Sequence, residues 1–110
     1  MNPAMLESDV EEYLLDRCRQ LSYKCMKFTS PARFGVPDRV VITPALTAFV
    51  ELKRPSGSLR RLQKVVQQRM RDKGAVVLNA RTVAEVETVL EQLGELNLAH
   101  SAINEQVWHS

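Results

Sequence analysis

The chain has 110 residues, 45% hydrophobic and 25% charged, the balance of one globular domain with a modest core, which excludes a disordered or low-complexity chain. No apolar run approaches the roughly 20 residues of a membrane span, and the first residues lack the basic stretch and apolar core of a secretory signal. The net charge of +2 conceals segregation: residues 1–16 carry five acids and no base, residues 17–73 carry fourteen Lys or Arg against Asp38, Glu51 and Asp72, and residues 74–110 carry Arg81 against five glutamates. A basic middle between acidic ends points to a phosphate-bearing partner, although solvated helix faces would carry the same charges. Cys18 and Cys25 fit a reduced, cytoplasmic protein better than a disulfide scaffold.

The apolar spacing of Leu6, Val10, Leu14 and Leu21 predicts a first helix over about 5–21. It is capped either at Asn2-Pro3 or by Ser8 with Glu11 three residues later. A strand is expected at 23–28, then a loop punctuated by Pro31, Gly35 and Pro37. The β-branched run 39–43 and residues 47–53 read as an antiparallel hairpin joined through Pro44-Ala45-Leu46. A helix over 59–73 follows, with Leu59, Leu62, Val66 and Met70 as its apolar stripe and Gly74 as its C-terminal glycine. Residues 75–79 read as a buried strand, and Thr82 with Glu85 opens a last helix running to about 93. The order is α-β-β-β-α-β-α: an α/β fold with a small mixed sheet, occupying 1–93 as a single domain, with 94–110 a tail of unassigned structure.

Chemistry concentrates at the hairpin. If its connection centres near Ala45, residues whose numbers sum to about 90 face each other, so Asp38 lies near Leu52, beside Glu51 and Lys53. Strand alternation puts Glu51 and Lys53 on one face and Leu52 on the other. Two carboxylates and an ammonium thus converge at one end of the unit. Mg²⁺ takes one or two carboxylates with waters and substrate phosphate, so Asp38, Glu51 and the Leu52 carbonyl form a candidate ligand set. Lys53 would then orient an attacking water or offset developing charge. A cross-strand ion pair among Asp38, Glu51, Lys53 and Arg39 is the structural alternative.

The segments Lys27-Phe28-Thr29-Ser30-Pro31, Gly35-Val36-Pro37-Asp38-Arg39 and Phe49-Val50-Glu51-Leu52-Lys53, followed by Gln63, resemble the VRR-NUC family of virus-type replication–repair nucleases, within the PD-(D/E)xK superfamily. The likeness covers roughly residues 7–85. It implies a restriction-endonuclease-like fold and Mg²⁺- or Mn²⁺-dependent cleavage of DNA. The small stand-alone members that this chain resembles act as homodimers on branched DNA such as four-way junctions, which implies a Holliday-junction-resolving endonuclease. By the same resemblance Asp38 and Glu51 are the metal-binding acids, Lys53 the catalytic lysine and Gln63 the glutamine of the following helix. Glu11 is the first choice for the family's first-helix glutamate, with Glu7 one turn earlier. Without the resemblance, Glu11 is explained by the cap with Ser8, and Gln63 as an exposed helical side chain.

Basic residues outside the motifs fit phosphate contact: Lys24, Lys27 and Arg33 around the Gly-x-Pro-Asp loop, and Arg54, Arg60, Arg61 and Lys64 after the Glu-x-Lys strand. Few aromatics argue against a single-strand stacking platform. Neither a zinc pattern nor a phosphate-binding glycine loop is present. A non-catalytic DNA-binding module of the same fold is the alternative function.

Overall fold

The computed structural model describes residues 7–29, 35–54 and 57–109, the last six by backbone alone. Seven elements follow the expected order: α1 (Glu7–Gln20), β1 (Lys24–Lys27), β2 (Arg39–Ile42), β3 (Thr47–Leu52), α2 (Arg61–Asp72), β4 (Val76–Ala80) and α3 (Val83–His109). The four strands form one sheet in the order β1-β2-β3-β4. The first two pairings are antiparallel, and β4 lies parallel to β3 because α2 carries the chain back across the sheet. This is the mixed α/β architecture of the restriction-endonuclease-like fold.

Strand alternation sorts the two faces. Val41, Val50, Leu52 and Ala80 point toward α1 and α3, where Val10, Leu14, Val86 and Leu93 complete a core buried to 4% exposure or less. Val10, Leu14 and Cys18 recur every four residues along α1, so one stripe of that helix enters the core. Cys18 is core and Cys25 half-buried, both as free thiols. Glu87 ties α3 to α1, accepting hydrogen bonds from Tyr13 Oη at 2.7 Å and Arg17 Nε at 2.6 Å.

The opposite face, bearing Glu51, Val77 and Asn79, belongs to α2. The apolar stripe expected of that helix is only partly inward: Val66 and Met70 are half-buried, but Leu62 is 51% exposed and the fully buried residue is Gln67. Its amide pairs with that of Asn79 through two hydrogen bonds of 2.8 and 2.9 Å, so both polar groups are satisfied out of water. Gly74 terminates α2 at φ +96°, as the sequence leads one to expect.

Two boundaries differ from expectation. Gly94 does not end α3, which continues to His109. Its Asn97 explains why: Oδ1 accepts hydrogen bonds from Thr43 Oγ1 at 2.7 Å and the Ala45 N–H at 2.8 Å, clasping the β2–β3 turn. Ser8 lies inside α1 rather than at its N-cap. Asn2-Pro3 falls outside the described residues.

Candidate active site

The β2–β3 turn is one residue tighter than expected. Thr43 N–H donates to the Leu46 carbonyl at 2.9 Å, closing a two-residue connection of Pro44 and Ala45. Facing residues therefore sum to 89, with Arg39 opposite Val50 and Ile42 opposite Thr47. Continuing this register by one pair sets Asp38 opposite Glu51, not Leu52. Residues directly opposite in an antiparallel pair share a face, so the shift makes the two acids cross-strand neighbours. The Leu52 side chain turns into the core.

Asp38 is held from several sides. Its carbonyl accepts from the Phe28 N–H at 2.8 Å and from Arg39 Nη1 at 2.9 Å, while its Oδ2 lies 3.2 Å from Arg39 Nη1. Its Oδ1 is buried and has no hydrogen-bond partner. Glu51 is 5% exposed. Burial chiefly, then the Asp38 charge and more weakly Glu7, push its carboxyl up to about 7, against an opposing pull from Lys53. Lys53 Nζ stands 3.8 Å from Glu51 Oε2, and its backbone N–H donates to the Ala80 carbonyl at 3.0 Å, anchoring the end of β3.

An acid forced toward neutrality beside an acid with an orphaned oxygen is an arrangement that a divalent cation would relieve. The donors are hard oxygens, as Mg²⁺ and Mn²⁺ prefer. Among the described residues no group of three His, Cys, Asp or Glu is gathered for a metal. The fit is therefore to an ion that keeps waters and takes substrate oxygens.

The two first-helix acids occupy different surroundings. Glu11 Oε1 lies 2.7 Å from Arg39 Nη2, so it serves a guanidinium whose side chain is 5% exposed and not the cap with Ser8. Glu7 is the α1 acid whose charge reaches Glu51. The sequence offers Arg39 only as a partner in a cross-strand ion pair, although it shares parity with Val41 and so occupies an inward position of β2. Buried there, it links Glu11 on α1 to Asp38, which makes it a positioning residue for the acid pair.

Gln63 Oε1 accepts the Arg60 N–H at 2.9 Å and so caps the start of α2. Gly35 brings the Gly-x-Pro-Asp loop against this turn: a Cβ there would meet the Leu62 carbonyl and Val66 at 3.1 Å, and its φ is +87°. Only glycine satisfies both conditions. Gln67 and Asn79, also not foreseen, complete the neighbourhood, since Asn79 stands beside Glu51 in the parallel register.

Of the proposed phosphate-contact residues, Lys24, Lys27, Arg54, Arg60, Arg61 and Lys64 are exposed, and Arg33 lies outside the described residues. Lys27 pairs in register with Arg39, next to the acids. Lys24 does not flank that loop: it pairs with Ile42 at the far end of the sheet, because β1 runs antiparallel to β2.

No protein-family model matches the chain. A solved structure described as a VRR_NUC domain superposes with a TM-score of 0.71 at 26% identity, covering 77% of this chain and 94% of that one. A curated phage protein, "Putative nuclease p44" of Acyrthosiphon pisum secondary endosymbiont phage 1, is 42% identical over 50 residues, 44% of this chain. The chain spans about half of that relative, 54% of its length. With the sheet order, the Gly-x-Pro-Asp loop and the Glu-x-Lys strand in place, the chain has the fold of a VRR_NUC domain and is similar in sequence to a phage nuclease.

Proposed function

We propose that this protein is a nuclease that hydrolyses phosphodiester bonds in DNA with Mg²⁺ or Mn²⁺ held by Asp38 and Glu51. The observation that carries the reading is the juxtaposition of these acids on central strands, with Asp38 Oδ1 buried and unpartnered and Lys53 on the same face. Two carboxylates brought together against their own repulsion need a cation, and a nuclease relative and the family fold point to the same chemistry. When bound, such an ion supplies a water of lowered pKa and a Lewis acid for the phosphoryl oxygen.

The chain's own residues do the rest. Asp38 presents Oδ1 while Arg39 restrains Oδ2. Glu51 contributes its carboxylate from a buried position, and the Leu52 carbonyl stands between the Glu51 and Lys53 side chains as a further oxygen donor. Lys53 orients the attacking water and offsets the charge that builds on the phosphoryl oxygens. Gln63 holds the first turn of α2, and through it the seat of Gly35.

The finer reading is an endonuclease that cuts branched DNA, four-way junctions included, as a homodimer. It is supported by the family resemblance and by exposed apolar side chains on α3, Leu98 and Ile103, that a second copy would cover. Paired cuts across a two-fold junction call for two-fold protein.

The test is cleavage of four-way-junction, flap and linear duplex DNA with Mg²⁺, Mn²⁺ or chelator, beside Lys53→Ala. The wild type is expected to cut the junction only with metal, and Lys53→Ala to cut at least about a hundredfold more slowly. Binding without cutting in either metal contradicts the catalytic reading and leaves a DNA-binding module of the same fold.

A further inference from the structure

Beside Lys53, on the side of β4 and α3, lies a cleft of about 290 Å³ that the acid pair does not use. Its walls come from the carboxyl ends of the parallel strands β3 and β4, from Ser58 and Leu59 ahead of α2, and from the first turn of α3. In open α/β sheets the crevice outside the carboxyl ends of parallel strands is where ligands sit. The cleft holds three cations, Lys53, Lys64 and Arg81, and one acid, Glu85. Glu85 is already committed: its Oε1 accepts the Arg81 N–H at 2.7 Å and the Arg81 guanidinium at 3.3 Å, which holds its carboxyl below the ordinary range. The cleft therefore retains a charge of +2.

Its other walls are selective. Leu59 gives an apolar side, and Asn79, whose amide spends one donor and one acceptor on Gln67, keeps a second N–H to offer. Space equal to roughly ten waters admits a phosphate with its sugar but not a base-paired step. The ligand class is thus anionic, singly or doubly charged, with a small apolar flank.

We propose that this cleft binds a deoxyribose-phosphate unit of the DNA strand, the backbone phosphate adjacent to the one being cut. Lys64 and Arg81 hold it, and Lys53 stands between the two phosphates. The assignment rests on the nuclease reading for the identity of the strand, and on the cleft alone for the chemistry of the ligand.

Two measurements separate these. Thymidine 5′-monophosphate is titrated into metal-free protein and followed by amide NMR shifts, for the wild type, Lys64→Ala/Arg81→Ala and Arg19→Ala. Shifts are expected at residues 58–64 and 79–85, with binding about tenfold weaker in the double variant and unchanged in Arg19→Ala. Both substituted side chains are exposed, and matching thermal melts show that the double variant is folded. In the second measurement a methylphosphonate replaces the phosphate next to the scissile one in a duplex. This change is expected to slow the wild type about tenfold and the double variant no further. Absent nucleotide shifts, or equal affinity in wild type and double variant, overturn the cleft assignment. Wild-type cleavage that ignores the methylphosphonate overturns it while leaving the nuclease reading intact. Nucleotide binding in a protein that cuts no DNA supports the cleft and overturns that reading alone.

Discussion

Glu51 sets the behaviour of the site through the cost of its own charge. Its carboxyl is raised from the ordinary 4.5 to about 7, so the folded chain holds that proton more tightly than the unfolded one. Stability linked to it is therefore present below about pH 4.5 and is lost as pH rises through 7, a fall of roughly 3 kcal/mol. Metal-free Glu51→Gln is expected to melt higher than the wild type at pH 8 and about the same at pH 4.5, by calorimetry, while losing cleavage. At limiting Mn²⁺ the wild-type rate should climb with pH up to about 7 as this proton leaves. The two α1 acids divide along a similar line. Glu11→Ala leaves the buried Arg39 guanidinium half-paired and should cost about 1–3 kcal/mol in urea unfolding. Glu7→Gln, which removes only a charge that reaches Glu51, should leave stability near wild type and lower the pH midpoint of cleavage. Sequence spacing alone cannot assign these roles, because both acids lie on one face of the helix and only the partner opposite each distinguishes them.

The β2–β3 hairpin is the element on which the site depends, and its turn shows where sequence reading stops. Alternation, β-branched residues and punctuation by proline and glycine made the order of every strand and helix legible, though not the length of α3, which passes Gly94 to reach His109. So was the parallel return of β4, since a helix intervenes. The register was not legible to one residue, because Pro44-Ala45-Leu46 offers two turn lengths and the choice is settled by a hydrogen bond from Thr43 to Leu46. Asn97 adds a clasp from 52 residues away, a contact no local pattern carries. Asn97→Ala leaves the Ala45 N–H without its acceptor and the Thr43 hydroxyl with only its longer bonds to Leu46, and should destabilise the fold by about 1–3 kcal/mol in urea unfolding. Gly35→Ala strikes the site from the other side. Positive φ and a 3.1 Å approach to the Leu62 carbonyl together should cost about 1–3 kcal/mol, and displace Asp38 enough to slow cleavage more than stability loss alone explains. The expected stripe on α2 was incomplete for a physical reason: the most buried place on the helix goes to an amide, Gln67, satisfied by Asn79, while Leu62 faces outward.

Across the molecule, the segregation of charge seen in the sequence becomes spatial. The acid pair sits at the ends of central strands β2 and β3, Lys27 stands on the β1 edge, and the cations of α2, with Arg81 just after β4, lie toward the other edge. A strand of DNA crossing the acids would meet positive charge on both sides. Lys27→Ala is expected to lower the slope of log affinity against log salt by about 1, and Lys24→Ala, at the far end of the sheet, to change it less. All of this depends on one claim, that Asp38 and Glu51 hold a divalent cation while Lys53 acts on the substrate. Calorimetric titration of Mn²⁺ into metal-free protein at pH 8 tests it most directly, for the wild type, Asp38→Asn, Glu51→Gln and Lys53→Ala. The account predicts one site, weakened at least about tenfold by either acid substitution and retained in Lys53→Ala, which binds metal yet does not cut. Equal Mn²⁺ affinity in the wild type and both acid variants would contradict it.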